Sequence, residues 1–206
     1  MNEVILKGIL RDIQPSHTIN GINYDKANII VSRKDGNEDI LSLKFKQFSN
    51  FYHEGDLIEL VGHLRSYSVK TEDNKSHVEL YVFTYFDPPS TDTETYQDIT
   101  NKVTIDGRVC KTDILRYTKS GKPHFHFILA NNIFSGGQKI NNYIPSVIWG
   151  KQAIKAAELK VNDRVQAVGE VHSRVYKKLL PDGELEIRTA HEFVIQRLNF
   201  IDETNI

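Results

Sequence analysis

The sequence predicts a mainly β protein made of two tandem copies of one small five-stranded Greek-key barrel. Three observations predict it. The chain repeats itself: Asn2-Glu-Val-Ile-Leu-Lys-Gly8 returns as Asn101-Lys-Val-Thr-Ile-Asp-Gly107, and Gly55-Asp-Leu-Ile-Glu-Leu-Val-Gly-His-Leu64 returns as Asn162-Asp-Arg-Val-Gln-Ala-Val-Gly-Glu-Val171. The spacing of about a hundred residues is domain-sized, far above the period of a solenoid. Within each copy, short β-branched and aromatic runs bounded by Gly, Asp and Asn read as strands. Between the copies lies Asp87-Pro-Pro-Ser-Thr-Asp-Thr-Glu-Thr-Tyr-Gln-Asp98, which has the proline, hydroxyls and acids of a linker.

In chain order, the first copy offers Val4-Ile-Leu6, Asn28-Ile-Ile-Val31, Ile40–Phe45, Leu57–Leu64 and Val78–Phe83 as strands. The second offers Val103–Val109, Phe125–Ala130, Ile144–Trp149, Arg164–Arg174 and Glu184–Ala190. A helix over Gln152–Leu159 falls between its third and fourth strands, and a short Gln47–Tyr52 stretch takes that place in the first copy. Five strands with a helix between the third and fourth is the order of the OB-fold. The expected division is an OB-fold over 1–88, a linker over 89–100, a second OB-fold over 101–200 and a short tail over 201–206. Asn131–Asn142, rich in Gly and Asn, falls where such a barrel has a long hairpin.

Composition narrows the function. The net charge of −1 hides an asymmetry: residues 1–100 carry 10 Lys+Arg and 16 Asp+Glu, while residues 101–206 carry 16 and 11. The second copy is therefore the half suited to a polyanion. One cysteine, Cys110, excludes internal disulfides and multi-thiolate metal sites. With no long apolar run and an acid in place of the basic start of a secretion leader, a cytoplasmic protein is expected, without a membrane partner. His124 and His126 alternate on a strand without a third ligand, so no metal is expected. Ser120-Gly-Lys-Pro123 lacks the parts of a phosphate-binding loop. No nucleophile–base pair or nuclease-like acid cluster stands out, so neither a cofactor nor an enzymatic activity is expected.

The second copy resembles the bacterial single-stranded DNA-binding protein (SSB) family. It carries the opening strand Asn101-x-Val103-x-Ile105-x-Gly107, the turn Leu115-Arg-Tyr-Thr-Lys-Ser-Gly121, the strand Phe127-Ile-Leu-Ala-Asn-Asn132, the strand end Trp149-Gly-Lys-Gln-Ala153 and the hairpin Gly169-Glu-Val-His-Ser-Arg-Val-Tyr176. The resemblance implies a largely sequence-independent binder of single-stranded DNA, acting in replication, recombination or repair. It implies stacking aromatics at Trp149, Tyr143, Tyr176 and Phe134, with Tyr117 in the turn. Arg116, Lys119, Lys122, Lys151, Arg174, Lys177 and Lys178 are the accompanying candidates for phosphate contact. A non-specific binder of single strands needs such exposed rings beside cations, because every base has a π-face and every nucleotide a phosphate. Core packing is the competing role for each ring; Phe125 and Phe127 are expected in the core.

The first copy departs from this pattern. Ser66-Tyr-Ser-Val69 stands where the second copy has Ser173-Arg-Val-Tyr176, and the turn Arg11–Thr18 lacks Arg-Tyr-Thr. Phe45, Tyr67, Tyr81 and Tyr85 build either a stacking face, a core or a protein interface. The short end Ile201–Ile206 lacks the spacer of the family's acidic tail. The resemblance also implies four OB-folds per particle, hence a homodimer here, with replication or recombination proteins as possible partners. The rival readings are a primosome-like or recombination accessory protein and a protein-interaction scaffold.

Overall fold

The computed structural model describes residues 1–47, 52–70, 76–84, 100–135, 137–180 and 183–201. Tyr85, most of the 47–52 stretch, the connector and the tail beyond Ile201 lie outside them. The first copy forms β1 (Asn2–Ile19), β2 (Ile22–Ser32), β3 (Glu38–Lys46), β4 (Leu57–Lys70) and β5 (Ser76–Thr84). The second forms β6 (Asn101–Thr112), β7 (Arg116–Tyr117), β8 (Pro123–Ser135), β9 (Gln138–Trp149), α1 (Lys151–Ala156), β10 (Arg164–Leu179) and β11 (Leu185–Phe200). Every expected strand is present, and most run longer than their apolar runs.

The Arg11–Thr18 segment is not a turn. It continues β1 along β2, with register shifts at Arg11/Gln14 and Pro15/His17. Residues 131–135 and 138–142 are likewise paired, with Asn131 opposite Asn142 and Phe134 opposite Lys139 in the β8–β9 hairpin. The helix stops at Ala156, short of the expected Leu159, because three residues of amphipathic pattern are spent in the turn that leads to β10.

Each copy closes into a barrel by the same pairings. In the first, β1 holds both β2 and β4, β2 holds β3, β4 holds β5, and β3 and β5 close in parallel. In the second, β6 holds β8 and β10, and β9 and β11 make the parallel contact. The inward phase of alternation fills the interior with Leu6, Leu10, Ile29, Leu43 and Leu64, and with Ile105, Phe125, Leu129, Ile148 and Phe193. The repeated glycines mark where the backbone must approach itself. A Cβ on Gly62 would lie 2.6 Å from the Phe83 carbonyl oxygen, and one on Gly169 would collide with that of Val194. No other residue fits these strand crossings without a backbone shift.

The barrels join through their first strands. β1 pairs antiparallel with β6, and the equivalent residues Val4 and Val103, both fully buried, face each other. A pseudo-two-fold axis therefore passes between them, and among the described residues eleven strands form one continuous sheet. The repeat's leading asparagines serve the same end. Asn2 Oδ1 accepts from the Leu64 N–H at 2.9 Å and its Nδ2 donates to the Leu64 carbonyl at 2.8 Å. Asn101 treats Val171 identically, at 3.1 and 2.8 Å. In both, the side-chain amide adds a rung where the backbone ladder has ended, satisfying a strand N–H and C=O that burial would otherwise orphan.

Two further contacts repeat about the axis. Ser173 N–H donates to Asp39 Oδ1 at 2.6 Å and Ile40 N–H donates to Ser173 Oγ at 2.9 Å. On the other side, Ser66 N–H donates to Asn142 Oδ1 at 3.1 Å and Tyr143 N–H donates to Ser66 Oγ at 2.8 Å. Asp39 is charged-paired by Arg33, which also donates to the Ser173 carbonyl at 3.0 Å. Among the described residues no helix is long and apolar enough to cross a membrane.

Candidate nucleic-acid interface

Strand alternation sorts the second barrel's candidates. On β8 and β9 one phase of the alternation holds the pairs His124/Trp149, His126/Val147, Ile128/Pro145, Ala130/Tyr143, Asn132/Asn141 and Phe134/Lys139, of which Val147 is buried. Trp149, Tyr143 and Phe134 therefore share one face, spread over roughly 33 Å at about 3.3 Å per residue. Phe125 and Phe127 take the opposite phase and are buried, as expected.

The Trp149 end is the most built-up part. Arg116 on β7 lies opposite His124 on β8, which lies opposite Trp149 on β9, so one row crosses three strands. The Trp149 and His124 rings are tilted at 31° with centroids 4.8 Å apart, and the Lys122 ammonium sits 5.3 Å from the indole centroid. His124 Nδ1 and His126 Nε2 share a hydrogen bond at 3.0 Å. Burial holds His126 below its ordinary pKa; His124 and Arg116 push the same way, while Glu192 and Asp113 oppose. Asp113, kept low by the Ile114 N–H and by Arg116, ties down the Arg116 guanidinium at 2.9 Å. Gly150, at φ 70°, turns the chain out of β9 and leaves Lys151 exposed at the start of α1. Tyr117 and Lys119 are exposed beside this row.

Tyr143 is about half exposed and its backbone is tied to Ser66, so it stands at the seam with the first barrel. Phe134 is 78% exposed near the hairpin tip, a position no folding requirement explains. On the β10–β11 arm, Arg174, Tyr176 and Lys178 share a face with Arg188, which lies opposite Tyr176. The Arg174 guanidinium carbon is 5.7 Å from the Tyr176 centroid. Lys177 is not brought to this face: it alternates to the other side of the arm, among the exposed Val175, Leu179, Leu185 and Ile187. Among the described residues no group of three His, Cys, Asp or Glu could hold a metal ion.

The first barrel carries a cluster in which Tyr67 and Tyr81, two of the rings singled out in the sequence, are joined by the unforeseen Lys44, Arg65 and Phe83. Lys44 lies 4.6 Å from the Tyr67 ring centroid and 4.5 Å from that of Tyr81. The Arg65 guanidinium carbon lies 3.8 Å over Phe83, and Tyr24 is 6.0 Å from Phe83, centroid to centroid. Phe45 is buried in the core. The legible signal was a set of i, i+2 pairs, Tyr24-x-Lys26, Lys44-x-Lys46, Arg65-x-Tyr67 and Tyr81-x-Phe83, each on one side of a strand.

Comparison with known proteins agrees with this architecture. The profile of the single-strand binding protein family matches residues 100–201. The single-stranded DNA-binding protein of Caldanaerobacter subterraneus subsp. tengcongensis is 35% identical over 80 residues, which are 37% of this chain and 53% of that protein. The chain thus spans about half the length of the curated relative it matches. The crystal structure of the single-stranded DNA binding protein from Thermus aquaticus superposes with a TM-score of 0.72 at 19% identity, covering 100% of this chain and 95% of that one. A deletion variant of the same Thermus protein gives 0.69, covering 98% and 95%. At this identity the superposition bears on the fold, and it extends the likeness to both barrels. The likeness in sequence to the single-strand binding protein family is thus carried by the second barrel, residues 100–201.

Proposed function

We infer that the chain binds single-stranded DNA with little sequence preference, and that the second barrel supplies the primary site. The observation that carries this is the Arg116–His124–Trp149 row, extended along one face by Tyr143 and Phe134. Bases stack on exposed rings whatever their identity, and neighbouring cations take the phosphates. Trp149 would take a base beside Lys122 and Lys151, while Arg174, Tyr176 and Lys178 on the arm hold a further stretch of strand. Each residue binds; none is assigned a catalytic role. Protection or organisation of strands in replication, recombination or repair is the corresponding role. Residues 1–88 and 101–200 act as the two units, joined by 89–100.

A homodimer, which brings four barrels into one particle, is the proposed assembly; a solution mass near 23.7 kDa would refute it.

The test is a titration with oligo-dT followed by fluorescence, since Trp149 is the sole tryptophan. One stacking ring is worth about 1–3 kcal/mol per base, so Trp149→Ala should weaken binding roughly 5- to 150-fold. An unquenched signal at saturating oligonucleotide would remove Trp149 from the site, and no binding at all would refute the function.

A further inference from the structure

His124 and His126 stand two apart on β8, so their side chains leave the same face of the strand. His124 Nδ1 and His126 Nε2 lie 3.0 Å apart and share a hydrogen bond, with the rings edge-on at 89°. Two neutral imidazoles make this bond with one nitrogen donating and the other accepting. One further proton strengthens it, because an imidazolium N–H donates better than an imidazole N–H does. A second breaks it, since both facing nitrogens would then be donors. The pair is built to take a single extra proton.

The surroundings decide which ring carries that proton. Burial holds His126 below its ordinary pKa; His124 and Arg116 push the same way, and Glu192 on β11 and Asp113 oppose. His126 is therefore the acceptor in the protonated pair. His124 donates through Nδ1 and presents Nε2–H to an outside partner. Its ring lies in the row between Arg116 and Trp149, 4.8 Å from the indole, whose π-face suits an imidazolium. The charges around the row are mostly positive. Lys122 sits 5.3 Å from the indole centroid, and α1, which packs on β8 and β9, brings Lys151 and Lys155. On the β6 side Lys111 stands opposite Ile128, while Asp113 is taken up by Arg116 at 2.9 Å. Such a row takes up a further positive charge most readily when an anion arrives with it, and a nucleotide stacked on Trp149 brings a phosphate.

The first barrel has fixed charge where the second has the histidines. In the equivalent registers Tyr24 stands opposite Lys46 and Lys26 opposite Lys44, against His124 opposite Trp149 and His126 opposite Val147. Lys26 thus occupies the place of His126, and the pair has no counterpart in the other copy. His124 also lies outside the turn and strand-end motifs that carry the likeness to the family.

We propose that His124 is a phosphate contact of the second barrel that protonation switches on, with His126 as the positioning residue that holds its ring, so that strand binding is coupled to proton uptake. This rests on the second barrel binding single-stranded DNA. Affinity then rises as pH falls through the range in which imidazole titrates. Because His126 stays neutral in the bound pair, the proton that serves binding differs from the one that burial of His126 resists.

The test is calorimetric titration of the full chain with oligo-dT of about 12 nucleotides, within the reach of one OB-fold. Running it at about pH 6.5 in buffers of different ionisation enthalpy counts the protons exchanged, and thymine does not titrate there. The wild type should take up to about one proton per chain and bind roughly 3- to 10-fold more tightly at about pH 6 than at about pH 8. Its slope of log affinity against log salt should be steeper at the lower pH by up to about 0.7. His124→Gln, which cannot titrate, should abolish the uptake and bring affinity at the lower pH down to its value at the higher one. His126→Gln, whose side-chain carbonyl still accepts from His124 Nδ1, should keep the uptake, whereas His126→Leu should lose most of it. Uptake that persists in folded His124→Gln would overturn the proposal by assigning the proton to another group. Wild-type binding with equal affinity at both pH values and no proton exchange would overturn it as well. Protein that binds oligo-dT at neither pH would fail earlier, at the proposed function itself.

Discussion

Replacing Asp39 with alanine removes a buried carboxylate that spans the two barrels. It is fully buried, is held by both Arg33 Nε and Nη2, and accepts from the Ser173 N–H of the other barrel. Taking one partner from a buried ion pair costs about 3–5 kcal/mol, chiefly because the remaining charge is left in a poorly solvated place. Arg33 keeps a side-chain exposure of 22%, which lets water recover part of that loss and favours the lower end. Asp39→Asn is the informative companion. The second barrel has Asn142 at the corresponding seam position, bonded to the Ser66 N–H, and Ile133 at the position equivalent to Arg33. Asparagine at 39 can still accept from Ser173, sparing the buried N–H, so it should cost about 1–2 kcal/mol less than alanine. Urea unfolding should be followed twice, by Trp149 fluorescence, which sits in the second barrel, and by circular dichroism, which reads both. Both curves should move together to lower urea for Asp39→Ala, because the seam joins one continuous sheet. A loss under about 1 kcal/mol with coincident curves would show that the seam carries little of the stability.

Gly169→Ala would drive a Cβ into the Val194 carbonyl oxygen and should destabilise by about 1–3 kcal/mol in the same urea assay. Acid should also destabilise the fold through His126. Its folded pKa lies below the ordinary 6.5, so below that pH the unfolded chain binds more protons, and stability is complete above it and declines as pH falls through the window beneath. His126→Gln should flatten the fall in melting temperature between about pH 7 and about pH 5.5. A fragment covering 100–201 loses the β1 partner of β6. Because Val4 and Val103 are equivalent and face each other, a second β6 can take the place of β1, and sedimentation should find a dimer of the fragment. A charge at that centre, Val103→Asp, should keep the fragment from dimerising.

Much of the fold was legible in the sequence for a local reason. Strand positions such as Val103–Val109 and Phe125–Ala130 announce themselves by β-branched and aromatic alternation, and alternation also decides which residues share a face. That is why Phe125 and Phe127 were assigned to the core and why Trp149 and Tyr143 emerged on the same side. The repeated Asn2/Asn101 and Gly62/Gly169 were visible as letters, and the register supplied their reason: an amide rung at the end of a ladder and a backbone crossing with no room for a side chain. Lys177 was readable too, since odd and even positions of a strand diverge; motif proximity to Arg174 and Tyr176 obscured it.

Tertiary structure alone decided how the copies meet and what the first one carries. The β1–β6 pairing joins residues about a hundred apart, and an exposed or paired strand edge looks the same in one dimension. Asp39 reads as a loop acid until Arg33 and Ser173 close on it from two barrels. The Arg65–Phe83 and Lys44–Tyr67–Tyr81 cluster draws on three strands whose adjacency comes from a parallel closure between β3 and β5. No periodicity within one strand encodes which others will lie beside it, because that choice belongs to barrel closure, a property of the whole chain.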